Sequence, residues 1–179
     1  IPFLVSWPAK LKAGVKNDEL VALADLFGIA TSAAGRRELR EGRDVLGILD
    51  GTAEPRKYLY GYDNLPEGKR FKVMVRDKTW KYIHFMNGGK EQLFNLDKDP
   101  GELVNLAESE PGIIGRFREE ALRACDVPGA RAAIENGGLR KMPLTQSPKH
   151  RIYQFDHSRG IKGFPAKPQD ALAGWKSGK

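Results

Sequence analysis

Three consecutive stretches in the middle of the chain read as strands, and the first two set their side chains on two faces with a period of two. Phe71, Val73 and Val75 share one face of the first. In the second, Trp80, Tyr82 and His84 share one face, and Thr79, Lys81, Ile83 and Phe85 the other. Residues 92–96 form the third. A period of two predicts half-buried strands. Asp77-Lys78 separates the first two, and Asn87-Gly88-Gly89 the second pair. The Asn-Gly-Gly run tolerates positive φ and predicts a hairpin. The aromatic run from Tyr58 to Tyr62 is a further strand candidate. The expected fold is an antiparallel meander of three or four strands.

The pattern then changes to a helical period. Ile114, Phe117, Ala121 and Cys125 recur at spacings of three or four, which predicts a helix packed on the sheet, with Pro111 in its first turn. Between sheet and helix, Asp99-Pro100-Gly101 predicts a tight turn with glycine in the unusual conformation, and Asn105 caps a short helical turn. Upstream, Phe3 to Trp7 reads as a buried strand ended by Pro8. Asp25 is the expected N-cap of a helix over the run LFGIATSAA, closed by Gly35. Residues 36–49 read as a charged surface loop that ends in a short apolar run. Beyond Pro128, scattered Pro and Gly predict an extended tail that wraps the body. The expected boundaries are 1–55, 56–127 and 128–179.

Composition narrows the class. The chain is 40% hydrophobic and 30% charged, as in a soluble globular protein. No apolar run approaches the roughly 18 residues that span a bilayer, so no membrane partner is expected. The opening IPFLVSWP has neither a basic flank nor a small-residue cleavage site, and reads as a strand that starts inside a domain rather than as a signal peptide. The absence of an initiator Met adds the expectation of an upstream part. Cys125 is the single cysteine, which excludes an internal disulfide and a cysteine-rich zinc site. The net charge is +7, and from Arg140 onward nine basic side chains face two acidic ones. Such a surplus attracts polyanions. No RNP, helix-turn-helix or zinc-finger pattern accompanies it, so nucleic acid is not the expected partner.

In order along the chain stand Pro2–Pro8 (PFLVSWP), the segment NDELVALADLF, and Gly42-Arg43-Asp44-Val45-Leu46. They are followed by Arg76, Trp80-Lys81-Tyr82, Gly88-Gly89, Leu93-Phe94-Asn95-Leu96, Asp99-Pro100-Gly101-Glu102 and Asn105-Leu106-Ala107. Each piece alone is common; the ordered series is specific. From Pro2 to Cys125 it resembles the C-terminal part of a type I sulfatase, in the alkaline-phosphatase-like superfamily. Gly28 is a modest departure, standing where the family has Pro, and Gly42-Arg43-Asp44-Val45 stands where it has Gly-Arg-Ser-Leu. The implied fold is the end of an alkaline-phosphatase-like α/β domain (1–55), then a small antiparallel sheet packed by one helix (56–127), then the tail (128–179).

The resemblance implies a parent enzyme that hydrolyses sulfate esters with a formylglycine nucleophile and a calcium ion. A hard cation with oxygen ligands neutralises the sulfate oxygens. In the family both motifs precede the PFLVSWP-like strand. Here Cys125 is followed by Asp126-Val127-Pro128-Gly129, and Ser6-Trp7-Pro8-Ala9 is followed by Lys10, so neither completes the Cys/Ser-x-Pro/Ala-x-Arg nucleophile motif. Ser32-Ala33-Ala34-Gly35-Arg36 fits the bare pattern but falls where the family has a helix after its core. The expectation is a portion without a catalytic centre, inactive alone, with no cofactor of its own. Its expected partners are the N-terminal catalytic part and, for the parent, a sulfated small molecule or glycan.

The candidate substrate contacts are His150, Arg151, His157 and Arg159, which flank Asp156 in HRIYQFDHSRG. Arginine grips a sulfate with two parallel bonds. The plainer alternative, in which they dock the tail and Asp156 pairs with Arg159, is favoured, because a spacing without a geometry does not make a site. Trp80, Tyr82 and His84 read as a packed strand face, and Lys81 and Arg76 as surface or intersubdomain partners. Two other functions stay open: a phosphate or phosphonate ester hydrolase of the same superfamily, and a stand-alone basic module for polyanions. For location, the resemblance implies only that such enzymes are often secreted, periplasmic or lysosomal.

Overall fold

The computed structural model describes residues 3–36 and 38–145. The N-terminal part carries two helices, α1 (Asp25–Ala33) and α2 (Val45–Asp50). Asp44 caps α2, its carboxylate accepting from the Gly47 amide at 3.1 Å. A short oxygen-bearing side chain suits this position because it accepts from a free first-turn amide. α1 ends as expected, with Gly35 at φ 75°. Its start differs. The N-cap is Ala24, and the Asp25 carboxylate turns back to accept from the Ala22 amide at 2.7 Å. Phe3–Trp7 forms no ladder among the described residues, and Leu4 is 92% exposed. A buried strand needs neighbours on both sides, and the described chain supplies none there.

Beyond residue 56 the strands follow the alternation: β1 (Leu59–Asp63), β2 (Lys72–Arg76), β3 (Trp80–Phe85) and β4 (Lys90–Asn95), antiparallel and in sequential order. The register sets Tyr60 opposite Val75, Val75 opposite Tyr82, and Tyr82 opposite Leu93. The period of two then buries Val73, Val75, Tyr82 and Leu93 and leaves Lys72, Met74, Arg76 and Lys81 on the outer face, half exposed. Gly88 and Gly89 make the β3–β4 turn at φ 79° and 60°.

Helix α3 (Pro111–Cys125) covers the inner face of the sheet. Ile114, Phe117, Ala121 and Cys125 are all buried, as their spacing predicts. Phe117 meets Tyr58 edge-on at 5.9 Å between ring centroids and lies 6.4 Å from Tyr82. After α3 the chain stays on the sheet. Ala130 and Ala133 join the core, with Arg131–Ala133 in a 3-10 turn. A two-residue hairpin, β5 (Ile134–Glu135) and β6 (Gly138–Leu139), follows. Asn136 and Gly137 turn it at φ 51° and 76°, the pair of positive values that such a turn demands. Among the described residues no helix is long and apolar enough to cross a membrane.

Candidate functional site

The inner strand face is not wholly apolar, and its polar members organise one end of the sheet. Glu91, the second residue of β4, stands directly opposite His84 and on the face of Leu93. A carboxylate at an inward strand position must be paired to be tolerated. The Tyr82 hydroxyl donates to Glu91 Oε1 at 2.6 Å. Arg118, on α3, donates from Nε to the same oxygen at 2.7 Å and from Nη2 to Oε2 at 2.5 Å. Burial pushes the Glu91 carboxyl upward, but the bonds from Arg118 and Tyr82 outweigh it and hold the group below its ordinary range. Burial, then the Glu91 charge, push the Tyr82 hydroxyl far above its usual value, so it remains a donor.

His84 is 2% exposed. Its Nε2 lies 3.0 Å from the Arg140 carbonyl oxygen. A carbonyl only accepts, so Nε2 carries the proton, and Nδ1 is left buried with no partner among the described residues. Burial pulls the ring below its ordinary pKa, against the Arg140 carbonyl and Glu91. A cleft of about 750 Å³ lies beside this cluster, lined by Asn87, Gly88, Lys90, Gln92, Asn105 and Leu144 among others. Asn105 stands, as the sequence suggests, at the head of a short helical turn, in which the Leu106 carbonyl accepts from the Ser109 and Glu110 amides at 3.2 and 3.1 Å. Its Oδ1 accepts from the Leu93 and Ala107 amides at 2.9 and 3.1 Å, and its Nδ2 donates to the Glu91 carbonyl at 3.1 Å, which staples residues 105–107 to the edge of β4.

Two further nodes explain the spacing of the sequence motifs. Lys81 Nζ bonds both oxygens of Glu102, at 2.8 and 2.7 Å. The aromatic-Lys-aromatic strand and the Asp-Pro-Gly-Glu turn are thus two halves of one ion pair. The turn is also built differently from its expectation: the positive φ belongs to Glu102 (55°), not Gly101. Asp99 supports it by accepting from the Leu103 and Val104 amides at 2.7 and 2.8 Å. The second node is Asp25, fully buried. Its carboxylate accepts from the Ala22 and Arg43 amides, both at 2.7 Å, and from Arg56 at 2.7 and 2.9 Å. Gly42 permits this closure, since a Cβ there would stand 2.6 Å from the Ala24 carbonyl oxygen.

His150, Arg151, His157 and Arg159 lie outside the described residues. Arg76 reaches no further than the Asp77 carbonyl, at 3.3 Å. Ser32 of the bare nucleophile pattern sits in α1. Burial raises the Cys125 thiol to about 11. Among the described residues no group of three His, Cys, Asp or Glu could hold a metal ion. Glu91, Arg118 and Arg56 were not singled out from the sequence. The one available signal was the acid at Glu91, visible only if β4 is started at residue 90 rather than 92.

The chemistry of this constellation is binding and support. Glu91 has both oxygens engaged, Tyr82 stays protonated, and Cys125 and His84 are shut away from solvent. None is a poised nucleophile or general base.

Residues 1–114 match the family model described as N-sulphoglucosamine sulphohydrolase, C-terminal. The chain is 27% identical over 146 residues to the choline-sulfatase of Rhizobium meliloti, covering 78% of this chain and 28% of that protein. It is 32% identical over 95 residues to the Delta 4,5-hexuronate-2-O-sulfatase of Bacteroides thetaiotaomicron, covering 51% and 19%. A solved Bacteroides fragilis structure assigned as a sulfatase superposes with a TM-score of 0.55 at 19% identity, covering 71% of this chain and 30% of that one. This likeness carries the fold, the alkaline-phosphatase-like one. The chain therefore spans only a minor share of each of these relatives. It belongs to the family of N-sulphoglucosamine sulphohydrolase C-terminal domains.

Proposed function

We propose that this chain is the C-terminal portion of a sulfuric ester hydrolase, and that it scaffolds the reaction rather than supplying its reactive groups. The observation that carries the reading is the family match over residues 1–114. The motif series supports it, because its members meet in space as the Lys81–Glu102 pair and the Asp99 and Asn105 turns. Relatives named for choline sulfate and a hexuronate 2-O-sulfate support a sulfated small molecule or glycan as substrate of the longer protein.

In this reading the formylglycine and calcium of the longer protein lie in its N-terminal catalytic part. The described residues do not fit either group, since their only thiol is buried and no acidic cluster forms. The same N-terminal part is the partner of the apolar groove of about 660 Å³ lined by Phe3, Val5, Leu11, Val15, Leu46 and Leu49, among others. Apolar side chains left half exposed, such as Val5, Val15 and Leu49, gain from being covered.

The test is turnover of 4-nitrophenyl sulfate with calcium present. The purified chain is expected to give no rate above background, and a longer protein that includes the upstream part a measurable one. Turnover by this chain alone overturns the assignment. A longer protein that prefers 4-nitrophenyl phosphate or a phosphonate ester would move the reading to those esters.

A further inference from the structure

We propose that His84 is a pH-operated latch on the strap Arg140–Leu144, so that acidification loosens this strap from the β3–β4 hairpin and opens the polar cleft on its Leu144 side. The strap is held by backbone hydrogen bonds, by the bond from His84, by the Arg140–Glu135 ion pair at 3.8 Å and by Met142, which packs against the core. The Arg140 amide donates to the Ala133 carbonyl at 2.8 Å, and the Arg140 carbonyl accepts from His84 at 3.0 Å. The Met142 amide donates to the Met86 carbonyl at 2.8 Å, and the Gly88 amide to the Met142 carbonyl at 2.9 Å. Its side chains sit on the two turn glycines. A Cβ at Gly88 would stand 2.9 Å from Leu144, and one at Gly89 would stand 2.8 Å from Lys141. Leu144 also lines the cleft.

The latch requires a neutral ring. Protonation would place a hydrogen on Nδ1, which is buried and has no acceptor among the described residues. The charged and titratable groups around the ring are Glu91 on β4, Arg118 on α3, Lys141 and Arg140 on the strap, and Tyr82 on its own strand; β2 presents Val73. The Arg140 carbonyl and Glu91 favour the imidazolium, but burial outweighs them, and both Glu91 oxygens are already taken by Arg118 and Tyr82. Lys141 and Arg118 oppose it. The sheet and α3 form one core around the ring, so displacing the strap is the smallest opening that returns His84 to water.

Linkage gives the sign. With the strap open, His84 titrates near the ordinary value of about 6.5; closed, it titrates lower. The opening constant is therefore flat above pH 7. It rises by up to about tenfold per pH unit below about 6.5, until the closed form also takes up the proton.

The test is amide hydrogen exchange on the full chain at pH 7.5 and 5.0, corrected for intrinsic rates. Protection at Met142 and Gly88 is expected to fall by about tenfold or more at the lower pH, while α3 amides keep theirs. His84→Gln retains a donor for the Arg140 carbonyl and does not titrate, so its strap protection is expected to be flat with pH. Strap amides that are flat in the parent chain, α3 losing protection in parallel, or an unchanged slope in His84→Gln would each overturn the latch. Should that variant not fold, NMR titration of the His84 ring in the parent chain decides. A midpoint well below 6.5 supports the latch, and one at or above 6.5 refutes it.

Discussion

Asp25→Ala removes the carboxylate that ties the N-terminal part to the start of the sheet region. Four donors converge on it: the amides of Ala22 and Arg43, and two nitrogens of Arg56. Asp25 is fully buried and the Arg56 side chain is 10% exposed. In the variant the guanidinium keeps only the Leu20 carbonyl, at 2.8 Å, and two amides lose their acceptor. Removing one partner of a buried ion pair costs about 3–5 kcal/mol, because the other charge is left uncompensated. Each orphaned amide costs about 1–3 kcal/mol, and water entering the vacated site offsets part of that. The expected loss at pH 7 is about 3–5 kcal/mol, or a fall in Tm of roughly 6–20 °C for a chain of this size. The assay is equilibrium urea unfolding. The double variant Asp25→Ala/Arg56→Met, with no stranded charge, is expected to recover at least half of the loss. The pH dependence has a fixed sign. Burial alone would raise the Asp25 carboxyl, but Arg56 and the two amides outweigh it and hold it below the ordinary value of 3.8. Its contribution is therefore fully present above pH 4 and is lost as pH falls through the depressed folded-state value. Parent and variant should converge in acid. A loss under about 1 kcal/mol at pH 7, or one that does not shrink between pH 5 and pH 2, would refute this account.

Phe117→Ala empties the space between Tyr58 and Tyr82 and should cost about 3–5 kcal/mol, read by urea unfolding together with loss of near-UV circular dichroism. Glu91→Ala strands the buried Tyr82 hydroxyl and should cost about 1–3 kcal/mol, a smaller loss being expected when Tyr82→Phe is already present. Gly42→Ala drives a Cβ against the Ala24 carbonyl and should lower stability by about 1–3 kcal/mol, seen as a reduced Tm.

The sheet and α3 were legible because their information is periodic and local. Val73, Val75, Tyr82, Ile114 and Phe117 announce their faces within a few residues of one another. Turns with obligatory glycine, such as Asn87-Gly88-Gly89, were legible for the same reason. Polar partnerships were not. Asp25 looks like a helix cap in any short window, and Arg56, which recruits it, is 31 residues away. Lys81 and Glu102 were both noticed as motif members, but their pairing depends on how the turn after β4 folds back. The β5–β6 hairpin fell within the run of scattered Pro and Gly beyond Pro128, because its strands are two residues long, too short for an alternation. The extended run at residues 3–7 is the opposite case: the apolar pattern was clear, and the neighbours that would make it a strand are missing from the described chain.

Cys125 closes the last turn of α3 with no exposed surface and a thiol pushed up to about 11. Being the only cysteine in the chain, it makes the protein its own opening clock. A thiol reagent at neutral pH reacts only when the packing around the end of α3 opens. The labelling rate of the unmodified chain then counts those excursions directly, with no engineered probe and no second site to confound the signal.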